Sequence, residues 1–373
     1  MTRIYLIRHA EAEGNLYRRA HGWYDGRVTE NGKRQISALS QRFADVPVDA
    51  VYASDLRRTQ ATAQAVAGPK GLEVHIDPGL REIGMGVWED RTFGDLARHE
   101  PEKMRDFYTC APSWQVEGCE TFEQVRCRIT PAIFRIAREN EGKTVAIFSH
   151  GSAIHCFQAS LRDKKVFQIR DVPHCGNTGV TCLDIEGMWH DVKFENDVSH
   201  LPDEIATLDK SRPEEICETW FENLDMDHND VVYYEARKDA WQGIHGSFQS
   251  FDGPGFLGEA RDAWLLDHRA VQAVMLEDKI AGVLQLDVGR DAEEKVGYVP
   301  FLYLKPEYRC KGIGVQLIGQ AVCTYRAMGR EKLRLRCAPD NGLAQRFYKR
   351  NGFHTVGMAP GARVPLELLE KEI

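Results

Sequence analysis

Two histidines stand where apolar runs end. Ile4-Tyr5-Leu6-Ile7 stops abruptly at Arg8-His9, and Thr144-Val145-Ala146-Ile147-Phe148 runs into Ser149-His150-Gly151. Such runs, in a chain that alternates strand and helix patterns, read as buried parallel strands. In open α/β sheets ligands bind beyond the carboxyl ends of the strands, so His9 and His150 are expected to face each other across one pocket. A third residue belongs with them. Ser54-Asp55-Leu56-Arg57-Arg58 follows the strand pattern Val48–Ala53 and opens a helix, which Ser54 or Asp55 is expected to cap. A cation at a helix start opposes the macrodipole. The same place suits a bound dianion, shared between the guanidinium and the helix amides.

The second half carries a different feature. A strand pattern over Val296–Leu304 leads into Pro306-Glu307-Tyr308-Arg309-Cys310-Lys311-Gly312-Ile313-Gly314, which opens a helix reaching about Met328. Gly312 and Gly314 let backbone amides crowd toward a ligand at a helix start, an anion site suited to a pyrophosphate. Lys279–Leu286 reads as strand–turn–strand, Leu333–Cys337 as a further strand, and Asn341–Phe353 as a polar turn and a helix.

The elements that must position these residues can be read in outline. Gly22-Trp23-Tyr24-Asp25-Gly26 is a turn-rich loop before a helix from about Thr29 to Phe43. Phe93–Cys119, with Pro101, Pro112 and Trp114, is expected to be an irregular, substrate-facing cap. Glu120–Asn140 shows the apolar face of an amphipathic helix (Phe122, Val125, Ile129, Ile133, Ile136). Asn177–Leu183 and Asp191–Phe194 read as a closing hairpin. Pro202–Pro213 is charged, proline-bounded and poor in apolar residues, as a linker is.

Composition narrows the function. A length of 373 residues fits two domains. A net charge of −8 argues against nucleic-acid binding, since no basic excess is available for phosphates. No run approaches a membrane span, and no signal peptide is expected at Met1-Thr2-Arg3. The ten cysteines show no Cys-x-x-Cys pair or zinc-type spacing, so reduced thiols in a cytoplasm and no metal are expected.

Arg8-His9-Ala10-Glu11 resembles the signature of the histidine phosphatase (phosphoglycerate mutase-like) superfamily, with Ala10 where Gly is usual. Leu80-Arg81-Glu82-Ile83-Gly84-Met85-Gly86-Val87-Trp88-Glu89 is similar to a stretch of its phosphatase branch. The resemblance covers about 205 residues. It implies His9 as nucleophile, Arg8, Arg58 and His150 around the phosphoryl group, and Glu82 as general acid, raised in pKa by a low-polarity pocket. Asn15, Gly22, Trp23 and Ser152 are implied at the substrate. The short interval between Glu82 and His150 favours a phosphatase over a mutase; a phospho-ligand binding module is the other reading. Arg-x-x-Gly-x-Gly, with Leu333–Cys337 and Asn341–Phe353, resembles the GNAT acetyltransferase superfamily over about 213–373. That implies acetyl-CoA held by Leu302, Leu304, Arg309, Cys310, Lys311, Gly312, Ile313, Gly314 and Asn341. Tyr348 would protonate the departing thiolate, and Asp287 or Tyr303 are weak candidates for a base.

The expected fold class is α/β in two domains: a phosphoglycerate mutase-like open α/β sheet, then a GNAT-like α+β domain with a splayed mixed sheet. The boundaries are 1–206, a linker at 207–212, and 213–373. The expected partners are a small-molecule phosphate ester and a small-molecule amine or amino acid; oligomers remain open.

Overall fold

In the first half, the chain alternates short apolar strands with amphipathic helices, and these assemble in the computed structural model as an open sheet with helices. The structure describes residues 1–207, 217–245, 252–361 and 364–373. Of the expected linker at 207–212, residues 208–212 lie outside the described residues. The chain divides into two units, Met1–Arg91 with Leu96–Arg212, and Thr92–Asp95 with Pro213–Ile373.

The first unit runs β1 (Thr2–Arg8), α1 (Glu13–Leu16), α2 (Glu30–Arg42), β2 (Ala50–Ala53), α3 (Arg57–Lys70) and β3 (Val74–Ile76). It continues through α4 (Phe93–His99), whose residues up to Asp95 count with the second unit, then α5 (Pro101–Tyr108), α6 (Phe122–Glu139), β4 (Thr144–Ser149), α7 (Gly151–Ser160), β5 (Val180–Glu186) and β6 (Trp189–Asp197). The sheet order is β3-β2-β4-β1-β5-β6. The first four of these pair in parallel and β5 and β6 are antiparallel. Register does the decisive work. Arg8 pairs with Ser149 and Ala53 with Phe148, so the residues leaving the three strands, His9, His150 and Ser54, emerge together at one edge of the sheet.

Local sequence explains the helix starts. Thr29 accepts from the Gly32 amide and Thr121 from that of Gln124, whose side chain returns the bond in a capping box. Two expectations fail here. Phe93–Cys119 is not irregular throughout but holds α4 and α5. Pro101 is the first residue of α5, where a missing N–H costs nothing. Phe107 and Trp114 pack with Phe122. Nor does Ser54 or Asp55 cap α3. Leu56 is the N-cap residue and has no polar side-chain atom to offer, while Ser54 bonds His150 and Asp55 pairs with Arg81.

The second unit runs β7 (Trp220–Asn223), α8 (Asp230–His245), α9 (Gly253–Leu266), β8 (Val271–Leu276), β9 (Lys279–Asp287), β10 (Val296–Leu304), α10 (Ile313–Ala327), β11 (Lys332–Cys337), α11 (Gly342–Arg350), β12 (His354–Ala359) and β13 (Leu366–Glu372). Its mixed sheet has the order β12-β13-β11-β10-β9-β8-β7. β10 and β11 are parallel, yet they pair only over Val296–Val299 with Lys332–Leu335. Beyond that β10 stays with β9 through Leu304, and the two parallel strands part. The expected turn inside Lys279–Leu286 is absent: β9 is continuous, and the turn precedes it at Glu277 and Asp278, both at positive φ. Gly282 is not a turn residue. A Cβ there would lie 2.1 Å from the Tyr303 carbonyl oxygen, so it marks close backbone approach to β10. Among the described residues no helix is long and apolar enough to cross a membrane.

Gly282→Val should therefore force β9 from β10 and destabilise the second unit by about 1–3 kcal/mol. Chemical denaturation followed by circular dichroism would read this as an earlier midpoint of one transition, with the first unit's transition unmoved.

Candidate functional site

At the strand ends of the first unit the two histidine rings lie with centroids 5.1 Å apart, and a third, His21, stands edge-on to His9 at 5.8 Å. His9 is buried. Its Nδ1 is 2.7 Å from the Ala10 carbonyl oxygen. A carbonyl only accepts, so Nδ1 carries the proton and Nε2 keeps its lone pair. Burial, followed by the charges of Arg58 and Arg8 and then His21, holds His9 well below the ordinary imidazole value, against the opposing Ala10 bond. The site thus presents a neutral imidazole with one free nitrogen. Ala10 fits without disturbance: it is buried, and its amide donates to Thr62 Oγ1 at 2.9 Å.

Arg8 and Arg58 bring two buried guanidiniums to the same place. Arg8 donates Nη1 to the Cys175 carbonyl at 2.6 Å. Arg58 donates to the carbonyls of Tyr24 (2.9 Å), Gly22 (2.7 Å) and His21 (3.2 Å). Neither binds a carboxylate among the described residues, and the Nε of each is buried without a partner. Burial lowers both, Arg58 to about 10. Arg57, by contrast, is exposed and pairs with Asp25. His150 is fully buried; its Nε2 is 2.7 Å from Ser54 Oγ, and its Nδ1 has no partner. Burial, then the Arg58 charge, holds it too well below the ordinary range.

Glu82 lies in a more polar setting than expected. Its Oε1 accepts from the amides of Ile83 (2.9 Å) and Ala153 (3.1 Å), and its Oε2 from that of Ser152 (3.1 Å). The carboxylate therefore sits at the N-terminus of α7, and Ser152 contributes a backbone amide. Gly22 is there for room as well as for its carbonyl: a Cβ would meet the Ile83 oxygen at 2.1 Å. Trp23 is 44% exposed and braces the loop, donating Nε1 to the Glu82 carbonyl at 2.9 Å beneath the Arg81 guanidinium. Asn15 faces inward through Oδ1, which accepts from the Ala12 amide and from Asn177 Nδ2.

Several positioning groups escaped the sequence reading. Glu89 accepts from the amides of Trp23, Tyr24 and Met85 and so holds the loop whose carbonyls grip Arg58. Its signal was present, since it ends the motif stretch. Arg128, from α6, donates to the carbonyls of Gly79, Arg81 and Glu82. It lies on the polar face of an amphipathic helix, where pattern says nothing. His21 had no signal. Asn177 donates to the His9 carbonyl at 2.9 Å.

The second unit gathers its own set. Gly312, at φ +73°, is the N-cap of α10 and offers no side-chain acceptor, which leaves the first helix amides open to an anion. Its need is conformational, because a Cβ there would meet nothing within 4 Å. Gly314 is tight, with the Phe347 ring 3.1 Å from a Cβ position. Arg309 donates Nε to the Leu304 carbonyl at 2.9 Å, while Cys310 and Lys311 are exposed and Ile313 is buried. Leu302 and Leu304 lie on the parted length of β10. Asn341 serves as the N-cap of α11, its Oδ1 accepting from the Ala344 amide. Tyr348, between Phe347 and Phe353, has its phenol pushed up by burial, with Cys337 adding. Burial first, then Asp239, raises Tyr303 to about 12, and its hydroxyl donates to Asp239 at 3.3 Å. Asp287 is occupied by the Gly289 and Arg290 amides. Among the described residues no group of three or more metal-ligating side chains gathers.

Each histidine whose folded pKa is depressed refuses a proton that the unfolded chain accepts. Stability is then present above the unfolded value near 6.5 and lost as pH falls below it. Urea unfolding of the first unit should weaken from pH 7.5 to 5, by about 1.4 kcal/mol per pH unit for each fully titrating histidine. His150→Asn should remove one such contribution from the slope.

Comparison with known proteins agrees with the geometry. The sequence profile of the "Histidine phosphatase superfamily (branch 1)" matches residues 4–198, and that of the "Acetyltransferase (GNAT) family" matches 233–353. The chain is 29% identical over 206 residues to "Probable phosphoglycerate mutase GpmB" of Enterobacter sp. (strain 638), covering 54% of this chain and 95% of that protein. The protein of the same name from Serratia proteamaculans is 35% identical over 161 residues, 43% of this chain and 75% of that one. Among solved structures, Bacillus stearothermophilus YhfR is 32% identical with a TM-score of 0.52, covering 54% of this chain and 99% of its own. The chain belongs to the histidine phosphatase superfamily through its first unit, and carries a GNAT acetyltransferase domain in its second.

Proposed function

We propose that residues 1–206 hydrolyse a small phosphate ester through a phosphohistidine, and that residues 213–373, beyond a short linker at 207–212, transfer acetyl from acetyl-CoA to an amine. One observation carries the first half: a neutral His9, its Nδ1 fixed on a carbonyl, sits among two buried guanidiniums with no carboxylate bonded to them among the described residues. Such a site lacks only a dianion. His9 Nε2 attacks phosphorus in line, Arg8, Arg58 and the unpartnered Nδ1 of His150 hold the equatorial oxygens, and Glu82 gives its proton to the leaving oxygen before drawing one from the attacking water. In the second half, the open amides of α10 with Arg309 and Lys311 suit the pyrophosphate, and the parted length of β10 suits the pantetheine arm. Tyr348, kept protonated by burial, suits the role of donor to the departing thiolate.

The relatives' names favour a second reading, a mutase. The interval between Glu82 and His150 is filled by the compact α4, α5, α6 and β4, and this supports hydrolysis. Hydrolysis of p-nitrophenyl phosphate without a bisphosphorylated primer is the expected result; strict dependence on the primer would establish the mutase instead. His9→Ala should lower phosphate release by at least ~10³-fold while acetyl transfer continues. The wild-type enzyme, quenched in alkali during turnover, should carry an acid-labile phosphate on His9.

Tyr348→Phe should lower acetyl transfer by about a hundredfold with acetyl-CoA affinity nearly unchanged. Full turnover in that variant, with chemistry rate-limiting, would remove Tyr348 from the mechanism.

A further inference from the structure

The bulge in β10 between Tyr298 and Phe301 sorts the strand's side chains onto two faces. Leu302 and Leu304 join Ile313 and Leu317 of α10, on the side of the open helix amides. Phe301 and Tyr303 join Tyr233 and Ala236 of α8 on the opposite side. On that opposite face sits Arg237. Its guanidinium carbon lies 4.0 Å from the centroid of Phe301, 4.5 Å from Phe256 and 5.5 Å from Tyr233. Its Nε donates to the Tyr233 hydroxyl at 2.7 Å, and its Nη2 to Gln285 Oε1 at 3.2 Å. Tyr233 in turn donates to the same Gln285 oxygen at 2.8 Å.

These partners are neutral. They fix the guanidinium plane without neutralising its charge, and among the described residues no carboxylate pairs with it. Three of the five N–H groups that a guanidinium carries remain unspent. A charged fork held rigid among three aromatic rings is preorganised for a planar anion such as a carboxylate. Acidic groups stand nearby, but they bear on other side chains: Asp239 accepts from the Tyr303 hydroxyl, and the Glu259 charge reaches Tyr233. An acceptor bringing its own carboxylate would find in Arg237 a cation with no paired carboxylate among the described residues. Phe301, against which the guanidinium lies, is adjacent on β10 to Leu302, in the length of the strand that has parted from β11.

We infer that the acetyl acceptor of the second unit is an amine with a neighbouring carboxylate, an amino acid, and that Arg237 holds that carboxylate. The inference rests on reading this unit as an acetyltransferase. In the step it serves, the amine nitrogen bonds to the acetyl carbonyl carbon as the C–S bond of acetyl-CoA breaks. The amine gives up a proton to solvent, and the thiolate takes one from Tyr348, which solvent then reprotonates.

The test uses the full chain, acetyl-CoA and release of free thiol, with each of the common amino acids set against its carboxamide, and with phosphoethanolamine. At least one acid should exceed its amide in kcat/KM by roughly tenfold or more, as loss of a charged hydrogen-bond partner implies. Arg237→Gln should bring that ratio close to one, with KM for acetyl-CoA and phosphate release by the first unit unchanged. Equal use of acids and amides, a ratio that survives Arg237→Gln, or preference for phosphoethanolamine over every amino acid would overturn it. Calorimetric titration of N-acetyl amino acids and their amides, with CoA present, separates the two layers. If no amine is acetylated, tight binding of the acids that is lost in Arg237→Gln upholds the carboxylate site while the transferase reading falls. Absence of such binding overturns the inference itself.

Discussion

Everything at the first unit's site follows from burying two positive charges beside a histidine with no carboxylate bonded directly to either among the described residues. An unpaired ion inside a protein costs several kcal/mol even after relaxation. Here part of that cost is offset by carbonyl oxygens: Cys175 for Arg8, and His21, Gly22 and Tyr24 for Arg58. Carbonyls stabilise a cation without cancelling it, so the charge stays available to a dianion. The arrangement obliges the loop 21–24 to hold an exact path, which explains the tether of Glu89 to two of its amides and the lack of room at Gly22. It also explains the neutral state of the histidines, since a protonated imidazole among two guanidiniums would be a third unpaired cation.

The second unit builds its positive end differently. There the positive end is a helix terminus deliberately left uncapped, reached through a left-handed Gly312. The strand before it parts from its parallel neighbour just where its bulge re-aims the side chains. One strand thus divides two environments, an aliphatic face against α10 and an aromatic face against α8 that carries Arg237.

The two strand-end histidines were legible because burial writes itself into apolar runs, and an abrupt end to such a run is a local signal. The parallel strand and loop before α10 were legible for the same reason. What sequence could not supply was register. That Arg8 pairs with Ser149 is a tertiary fact, and it alone sets His9 beside His150. The reading of Ser54 and Asp55 as caps shows the limit well: both residues have the right chemistry for a helix start, but a histidine and an arginine from other elements compete for them and win. Gly282 misled in the same way, because a glycine that makes a turn and one that admits a neighbouring backbone look alike in one dimension. Arg128 and His21 left no trace in pattern at all.

The placement of Glu82 carries a mechanical consequence. Its carboxylate accepts the amides of Ser152 and Ala153, and the residue just before this helix, acting as its N-cap, is His150. In the reading proposed above, the acid and the phosphoryl-binding imidazole are therefore fixed by one and the same helix start. A displacement of the Glu82 carboxylate would pull on the amides that begin α7, and the backbone from which His150 projects is continuous with them.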